Sequence, residues 1–273
     1  MPRAPSPVAK VLKSFVSQFE TNIASLSLAE KWDNVGVLVE SPRASSLSSL
    51  RVISCIDLTN DVVSEAIRKN CNLILSYHPV MFRAVQSLSI ASQLPILRCI
   101  DAGISVFVPH TAVDTAAGGM NDFLCDVFRA HESSRTGVRV DIESGASVGR
   151  ISTFTEPMSL NDVISLLKSS LRVDRVRFAS QKDPSVKSIS SVAVCVGSGS
   201  SILIGANADL YLTGEMTHHD ILSCQSLGKP VILLDHSSSE RPFLPELSRR
   251  VASFDCVESV VVSEADIEPI RSA

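Results

Sequence analysis

The sequence predicts an α/β protein made of two α/β domains with mixed, mostly parallel sheets. Strand-like apolar segments alternate with helical segments from Arg51 onward, an order typical of βαβ units. Ligand-type polar residues follow several of these strands, where open α/β sheets usually bind their ligands. A chain of 273 residues that is 45% hydrophobic can form two modest domains with real cores.

The sequence of the first half indicates one helix, followed by alternating strands and helices. Apolar residues recur at helical spacing from Val8 to Phe19, and a polar turn at 32–36 precedes a short apolar strand. Thr59 or Asn60 is expected to cap the next helix. The predicted strands are RVISCID, NLILSY and ISVFVP, and the helices are DVVSEAIRKN, about 93–102 and GGMNDFLCDVF.

The second half repeats the α/β pattern after a polar segment. Residues 131–147 show no periodicity and are the best candidate for a domain boundary. The strands predicted after this segment are VGRISTF, RVRFAS, SSVAVCV, ADLYLTG, PVILLD and VESVVVSE, and SLNDVISLLKSSL is an amphipathic helix.

Composition and charge argue against two classes of protein, those that bind nucleic acid and those that span a membrane. Net charge is −4 and no basic stripe is visible, so we expect no direct nucleic-acid binding. Arg175 and Arg177 would share one strand face, which is either a solvated surface or a phosphate contact. No apolar run approaches the ~18 residues needed to span a bilayer, so no membrane association is expected.

The seven cysteines include no Cys-x-x-Cys pair. This argues against a disulfide scaffold and a thiolate zinc site, and favours a reducing compartment. The prediction is a cytoplasmic location, with a nuclear or mitochondrial one left open, because the N-terminus lacks the apolar core of a secretory signal.

Four short motifs carry metal-type ligands directly after apolar strands. They are Ser76–Pro79, His110–Asp114, Thr213–His219 and His236–Glu240, and they hold five of the six histidines. Imidazole and carboxylate groups bind zinc, manganese or ferrous iron. A histidine with a carboxylate four residues later can present both groups on one side where the chain turns into a helix. The alternative for each histidine is a capping or core role.

The segment Val194–Gly199 resembles the start of a dinucleotide-binding turn. Ile202 stands where the third glycine of that fingerprint belongs. A tight strand–helix turn is therefore favoured over a nucleotide site.

At these motifs the chain resembles the NGG-one-interacting-factor-three-like family, whose bacterial members are often labelled GTP cyclohydrolase I type 2. The matching stretches are WDNVGVLVE, LILSYHPVMF, VPHTAVDTAAGGMNDFL, LYLTGEMTHHD and LLDHSSSER. The resemblance implies two α/β domains with a dinuclear metal site in the cleft between them, and a ring-shaped homohexamer. The second domain, 145–227, would be inserted into a first domain made of 1–135 and 228–273.

The resemblance also implies the ligands. The family pattern maps onto His78, Asp114, His236 and Glu240, for one or two zinc, iron or manganese ions, with the Trp32 turn lining the same cleft. Many bacterial members have histidine where Tyr77 stands, and SYHP resembles the eukaryotic branch. A phenol is a poor ligand at neutral pH, so one position is expected to be weak or empty, or to recruit His110.

Two functions follow from this resemblance. The first is a metal-dependent hydrolase of cyclohydrolase type acting on a small molecule, with Glu215, His218 or His219 as acid or base. The alternative role for these three side chains is to orient ligands through hydrogen bonds. The second function is a non-catalytic metal-binding regulator or scaffold with a transcription-related protein partner.

Overall fold

The computed structural model describes residues 6–141, 145–181 and 183–270. The chain separates into two compact units, one formed by Met1–Val113 with Phe243–Ala273 and the other by Asp114–Pro242. Each unit is built around its own sheet.

The first unit holds a sheet with strand order β1-β4-β3-β2-β11 in the described part of the chain. The strands β11, β2, β3 and β4 run parallel to one another, and β1 is antiparallel to β4. Its strands are β1 (Gly36–Val39), β2 (Leu50–Cys55), β3 (Leu73–Ser76), β4 (Ser105–Val108) and β11 (Val257–Val262). Its helices are α1 (Lys10–Asn22), α2 (Asn60–Arg68), α3 (Ile90–Ala102) and α10 (Leu244–Val251), with short 3-10 turns at Leu26–Leu28 and Ala44–Ser46.

The core of the first unit lies between this sheet and its helices. Ile53, Ile74 and Val106 from the central strands pack with Val62 and Val63 of α2, and all five are at most 1% exposed. The Thr59 hydroxyl accepts a hydrogen bond from the Val62 amide, so Thr59 caps α2 as expected. The central strands are buried on both faces, which explains their continuous apolar runs.

The second unit holds a sheet with strand order β5-β6-β8-β9-β10-β7 in the described residues. The strands β8, β9 and β10 are parallel, while β5, β6 and β7 join antiparallel. They are β5 (Glu132–Val140), β6 (Ser147–Ser159), β7 (Arg177–Ala179), β8 (Lys187–Ser198), β9 (Leu210–Glu215) and β10 (Val231–Leu233). The helices are α5 (Met120–Cys125), α6 (Leu160–Leu171), α7 (Ser200–Leu203), α8 (His218–Ser226) and α9 (His236–Glu240), with 3-10 turns at Asp126–Phe128 and Arg241–Phe243. The chain passes from the first unit to the second within α4 (Thr111–Thr115).

The predicted fold class of two mixed α/β sheets is confirmed. The segment 131–147, expected as a boundary, instead contains β5, which pairs antiparallel with β6. Most side chains of β5 are exposed or half-buried, so no apolar alternation marks it. The predicted boundaries placed PVILLD in the first domain, whereas β10 pairs with β9 in the second sheet.

No helix among the described residues is long and apolar enough to span a membrane.

Candidate metal-binding residues

In the first unit, His78 lies just beyond the end of β3 and contacts a carboxylate. Its Nδ1 is 2.8 Å from Asp57 Oδ1, and Asp57 follows β2, the parallel neighbour of β3. Because the carboxyl ends of parallel strands meet at one edge of a sheet, the two residues meet there. A carboxylate accepts hydrogen bonds only, so Nδ1 donates and Nε2 keeps its lone pair in the neutral ring.

His110 follows β4 and is held in the same way by Asp33. Its Nδ1 is 2.8 Å from Asp33 Oδ1, while the amide of Thr111 donates to Oδ2 at 3.1 Å. Burial raises the pKa of Asp33, but the hydrogen bond and electrostatic attraction of His110 and the hydrogen bonds from Thr111 outweigh burial and lower it. Asp33 is therefore an ionised acceptor that fixes the tautomer of His110.

Aromatic rings surround these two histidines. The rings of His78 and His110 lie 5.5 Å apart, and the Tyr77 ring is 5.0 Å from His78 and 5.3 Å from His110. Tyr77 is 1% exposed, so its ring is part of the core. Trp32 is half-exposed and lies with its ring centroid 6.0 Å from that of His110.

In the second unit, His236 and Glu240 occupy the first and last positions of α9. His236 Nε2 is 3.4 Å from Glu240 Oε1, while His236 Nδ1 is 2.9 Å from Glu215 Oε1. Glu215 ends β9, next to β10 in the sheet. His236 thus presents Nε2 beside Glu240, and Glu215 binds the other ring nitrogen.

Two glycines make room for this pair. A Cβ on Gly197 would lie 2.6 Å from Glu240 Oε1 and 3.3 Å from His236 Nε2. A Cβ on Gly214 would lie 2.9 Å from the Cα of His236. Gly197 therefore lies directly against both side chains, and Gly214 lies against the backbone of His236. A methyl group at Gly197 would displace the His236 and Glu240 side chains.

The glycine-bearing segment at the end of β8 does not present the amides of Gly197 and Gly199 to a phosphate. The Gly197 amide donates to Ser239 Oγ at 2.8 Å, and the Gly199 amide donates to Thr213 Oγ1 at 3.0 Å. The structure therefore favours the tight-turn interpretation over a dinucleotide site.

Asp114 lies in α4 and is half-buried. Its backbone carbonyl accepts a hydrogen bond from Asn121 Nδ2 at 3.1 Å. Arg150 donates to the next two carbonyls, those of Thr115 and Ala116, at 3.2 and 3.0 Å. The turn after the candidate ligand is thus held by buried polar side chains.

His218 and His219 begin α8 and are exposed, with rings 5.6 Å apart. In the described residues, Glu215 is the member of this predicted acid–base group that contacts a candidate ligand. Its contact with His236 Nδ1 matches the alternative role of orienting a ligand.

A common arrangement links the three histidines His78, His110 and His236. Each has a carboxylate at Nδ1, so Nε2 is the ring nitrogen that would act as a ligand, as in most metal-binding histidines. His78, His236 and Glu240 each offer one ligand atom of a kind that could hold a metal ion. The nitrogen and oxygen donors fit a divalent transition metal.

Comparison with known proteins identifies the family. The family model for Duf34/NIF3 (NGG1p interacting factor 3) matches residues 12–269. The chain belongs to this family. NGG1-interacting factor 3 of Saccharomyces cerevisiae is 35% identical over 282 residues, covering 97% of this chain and 96% of the yeast protein. NIF3-like protein 1 of Drosophila melanogaster is 35% identical over 263 residues, covering 95% and 88%.

The fold agrees with this membership. The crystal structure of a Staphylococcus aureus hypothetical protein matches with a TM-score of 0.81 at 24% identity, covering 98% of this chain and all of that one. A Bacillus cereus protein related to NIF3 matches with a TM-score of 0.80 at 19% identity, covering 95% and 98%. Both share the fold of this chain, and the family model and the yeast relative confirm the resemblance seen in the sequence motifs.

Several residues of this NIF3 chain were missed in the sequence. Asp57 orients His78, and Gly197 makes room for Glu240, yet neither lies in one of the four motifs. A signal for Asp57 was available, since it also follows an apolar strand. A signal for Gly197 was its place directly after the predicted strand SSVAVCV. That glycine was instead considered as part of a dinucleotide-binding turn.

Proposed function

We propose that this NIF3 protein binds one or two divalent metal ions through His78, Asp114, His236 and Glu240, with His110 available to a second ion. The observation that carries the proposal is the carboxylate at Nδ1 of each histidine: Asp57, Asp33 and Glu215. Such a partner fixes the tautomer and makes Nε2 a better ligand.

The donor set favours zinc, iron or manganese. The candidates are imidazole nitrogens and carboxylate oxygens, which these metals accept. The thiols of Cys99 and Cys125 do not compete, because burial raises the pKa of each to about 12. Thiols with such pKa values stay protonated at neutral pH and are poor ligands.

Hydrolysis of a small molecule is the activity we propose for this metal-binding protein. A bound divalent ion would supply Lewis acidity and lower the pKa of a coordinated water. Glu215 holds His236 through Nδ1 and is half-exposed, so a substrate can also reach its carboxylate. The exposed His218 and His219 remain candidates for proton transfer to or from a substrate.

A regulatory role is the second candidate. The yeast relative is named NGG1-interacting factor 3, a name that describes a protein partner of that relative. Under this proposal the metal stabilises a binding surface and no turnover occurs. Substitution of Asp114 or Glu240 would then lower metal content and partner binding together, while wild type with metal fully loaded would leave nucleotide analogues, phosphoesters and small amides intact.

A cytoplasmic location and a ring-shaped homohexamer complete the proposal. Both come from the family resemblance described above. Light scattering on the purified chain tests the assembly, since a hexamer would have six times the mass of the 29.3 kDa chain.

Metal content by mass spectrometry tests the proposal most simply. The protein is purified without chelator or nickel resin and compared with His78→Ala and Tyr77→His. We expect metal in wild type that is reduced in His78→Ala. One ion per chain that rises to two in Tyr77→His would show that the phenol has replaced a ligand. Absence of metal in all three proteins, even after reloading, would contradict the proposal.

A further inference from the structure

The candidate ligands of the second unit lie on very short helices. Asp114 is in α4, and His236 and Glu240 are in α9, each helix having five residues. A helix of this length has few intrahelical hydrogen bonds and is not stable by itself. The positions of these ligands must therefore be fixed by neighbouring groups.

Asn121 fixes the Asp114 side of this arrangement. Its side chain is 0% exposed. Nδ2 donates to the Asp114 carbonyl at 3.1 Å, and Oδ1 accepts from the Val196 amide at 3.0 Å. The amide thus joins the turn that carries Asp114 to the end of β8. A fully buried amide with both ends bonded is costly to break, because both partners lose their hydrogen bonds away from water.

Ser239 fixes the α9 side. It accepts from the Gly197 amide at 2.8 Å and donates to the His236 carbonyl at 2.7 Å. It is 4% exposed and is the residue before Glu240. Val196 and Gly197 are adjacent, so a continuous path of hydrogen bonds runs from Asp114 through Asn121 and the end of β8 to Ser239 and His236.

We propose that Asn121 and Ser239 are positioning residues that set the spacing of Asp114 from His236 and Glu240, and thereby the affinity and coordination geometry of a bound metal. Neither side chain is a ligand in this proposal, and each acts through the backbone of one. The proposal rests on the proposed metal-binding function. It adds Asn121 and Ser239 to the residues on which metal binding depends. It also assigns a role to the end of β8, which connects Asn121 to Ser239 through the Val196 and Gly197 amides.

The variants Asn121→Ala and Ser239→Ala each break this path at a different point. The matched control is Ser152→Ala in β6, because Ser152 is also buried and its hydroxyl has no hydrogen-bond partner among the described residues. Cobalt affinity is measured by chelator competition, and the visible absorption spectrum of bound cobalt reports coordination geometry. Loss of a group that orients ligands typically weakens metal binding ~10–100-fold. We expect that loss and a changed spectrum in both variants, and an affinity within about twofold of wild type in the control.

Two further measurements separate positioning from general destabilisation. Unfolding of the metal-free proteins shows how far each variant is destabilised without metal. Ser239→Thr retains the hydroxyl and should recover most of the affinity and the wild-type spectrum. Wild-type affinity and spectrum in both alanine variants, or an equal loss in Ser152→Ala, would overturn the positioning role. Failure of wild type to bind cobalt would instead contradict the proposed function itself.

Discussion

The histidines of both units have a carboxylate at Nδ1, but the surroundings of the candidate ligands differ between the units. In the first unit, His110 is held by Asp33, which lies 77 residues away in the chain, and His78 by Asp57, 21 residues away. In the second unit, His236 and Glu240 come from one helical turn, packed against Gly197. Charged hydrogen bonds orient the histidines of both units, and in the second unit a position without a side chain adds a steric constraint. Changes of size next to the ligands should therefore matter most in the second unit.

The largest effect is expected from added volume in the second unit. Gly197→Ala places a Cβ at 2.6 Å from Glu240 Oε1, so the carboxylate must move, and metal content should fall to background. Gly228→Ala is the matched control, because Gly228 has φ +68 against φ +62 for Gly197 but nothing within 4 Å of its Cβ. Both variants carry the ~1–2 kcal/mol cost of a left-handed alanine. Equal metal content in the two variants would contradict the role of close packing.

A smaller effect is expected from loss of charge in the first unit. Asp57→Asn keeps the size of the side chain but removes the charged acceptor at His78 Nδ1, so metal affinity should fall ~10–100-fold. Asp101→Asn is the control, since Asp101 is exposed on α3. Chelator competition measures both. An Asp57→Asn affinity equal to that of the control would show that His78 does not depend on its carboxylate.

The first unit uses another buried carboxylate to hold its C-terminal segment, and this should appear in the pH dependence of stability. Glu65 is 1% exposed and accepts hydrogen bonds from the Ser263 hydroxyl and the amides of Glu264 and Ala265. Burial raises the pKa of Glu65, but the bonds from Lys69, Ser263 and these amides lower it from 4.5 to about 2. Folding therefore stabilises the ionised form by about 3 kcal/mol.

Because the folded-state pKa is depressed, this contribution is present above pH 4.5 and is lost as the pH falls towards 2. Urea unfolding with chelator present should show Glu65→Gln less stable than wild type by about 3 kcal/mol at pH 7, with more than half of the difference gone at pH 3. A difference that is constant between pH 7 and pH 3 would exclude ionisation as its source.

The smallest effect is expected at the two exposed histidines of the second unit. His218→Ala and His219→Ala alter side chains that begin α8 and are exposed. Metal content should stay at the wild-type value in both, as measured by mass spectrometry. If a hydrolytic activity is found, its loss in either variant with metal retained would support a role in proton transfer. Loss of metal in either variant would instead make that histidine a ligand.

The sequence was sufficient for most of the fold. Apolar runs and helical periodicity predicted the strand–helix order, and Thr59 was one of the two candidate caps that the sequence left open. The strand β5 was missed because its pairing with β6 leaves most of its side chains exposed or half-buried, so no period-two pattern forms. The assignment of β10 to the second sheet was missed because it depends on the pairing of β10 with β9. The local sequence of a strand does not indicate which strand it pairs with.

The candidate metal-binding residues divide in the same way. His236 and Glu240 could be paired from the sequence, because a spacing of four residues places them on one face of a helical turn. The partnerships of His78 with Asp57 and of His110 with Asp33 could not, because they depend on which strands are neighbours. The roles of Asn121 and Gly197 depend on tertiary packing for the same reason.

The most direct test of the central claim is zinc affinity in wild type, Glu240→Gln and His131→Ala, measured by chelator competition. Glu240 is 2% exposed beside His236, whereas His131 is exposed and outside the four motifs. Metal binding through these residues predicts tight binding in wild type and His131→Ala and a loss of at least ~100-fold in Glu240→Gln, because a neutral amide is a far weaker ligand than a carboxylate. Equal affinity in all three proteins would contradict it.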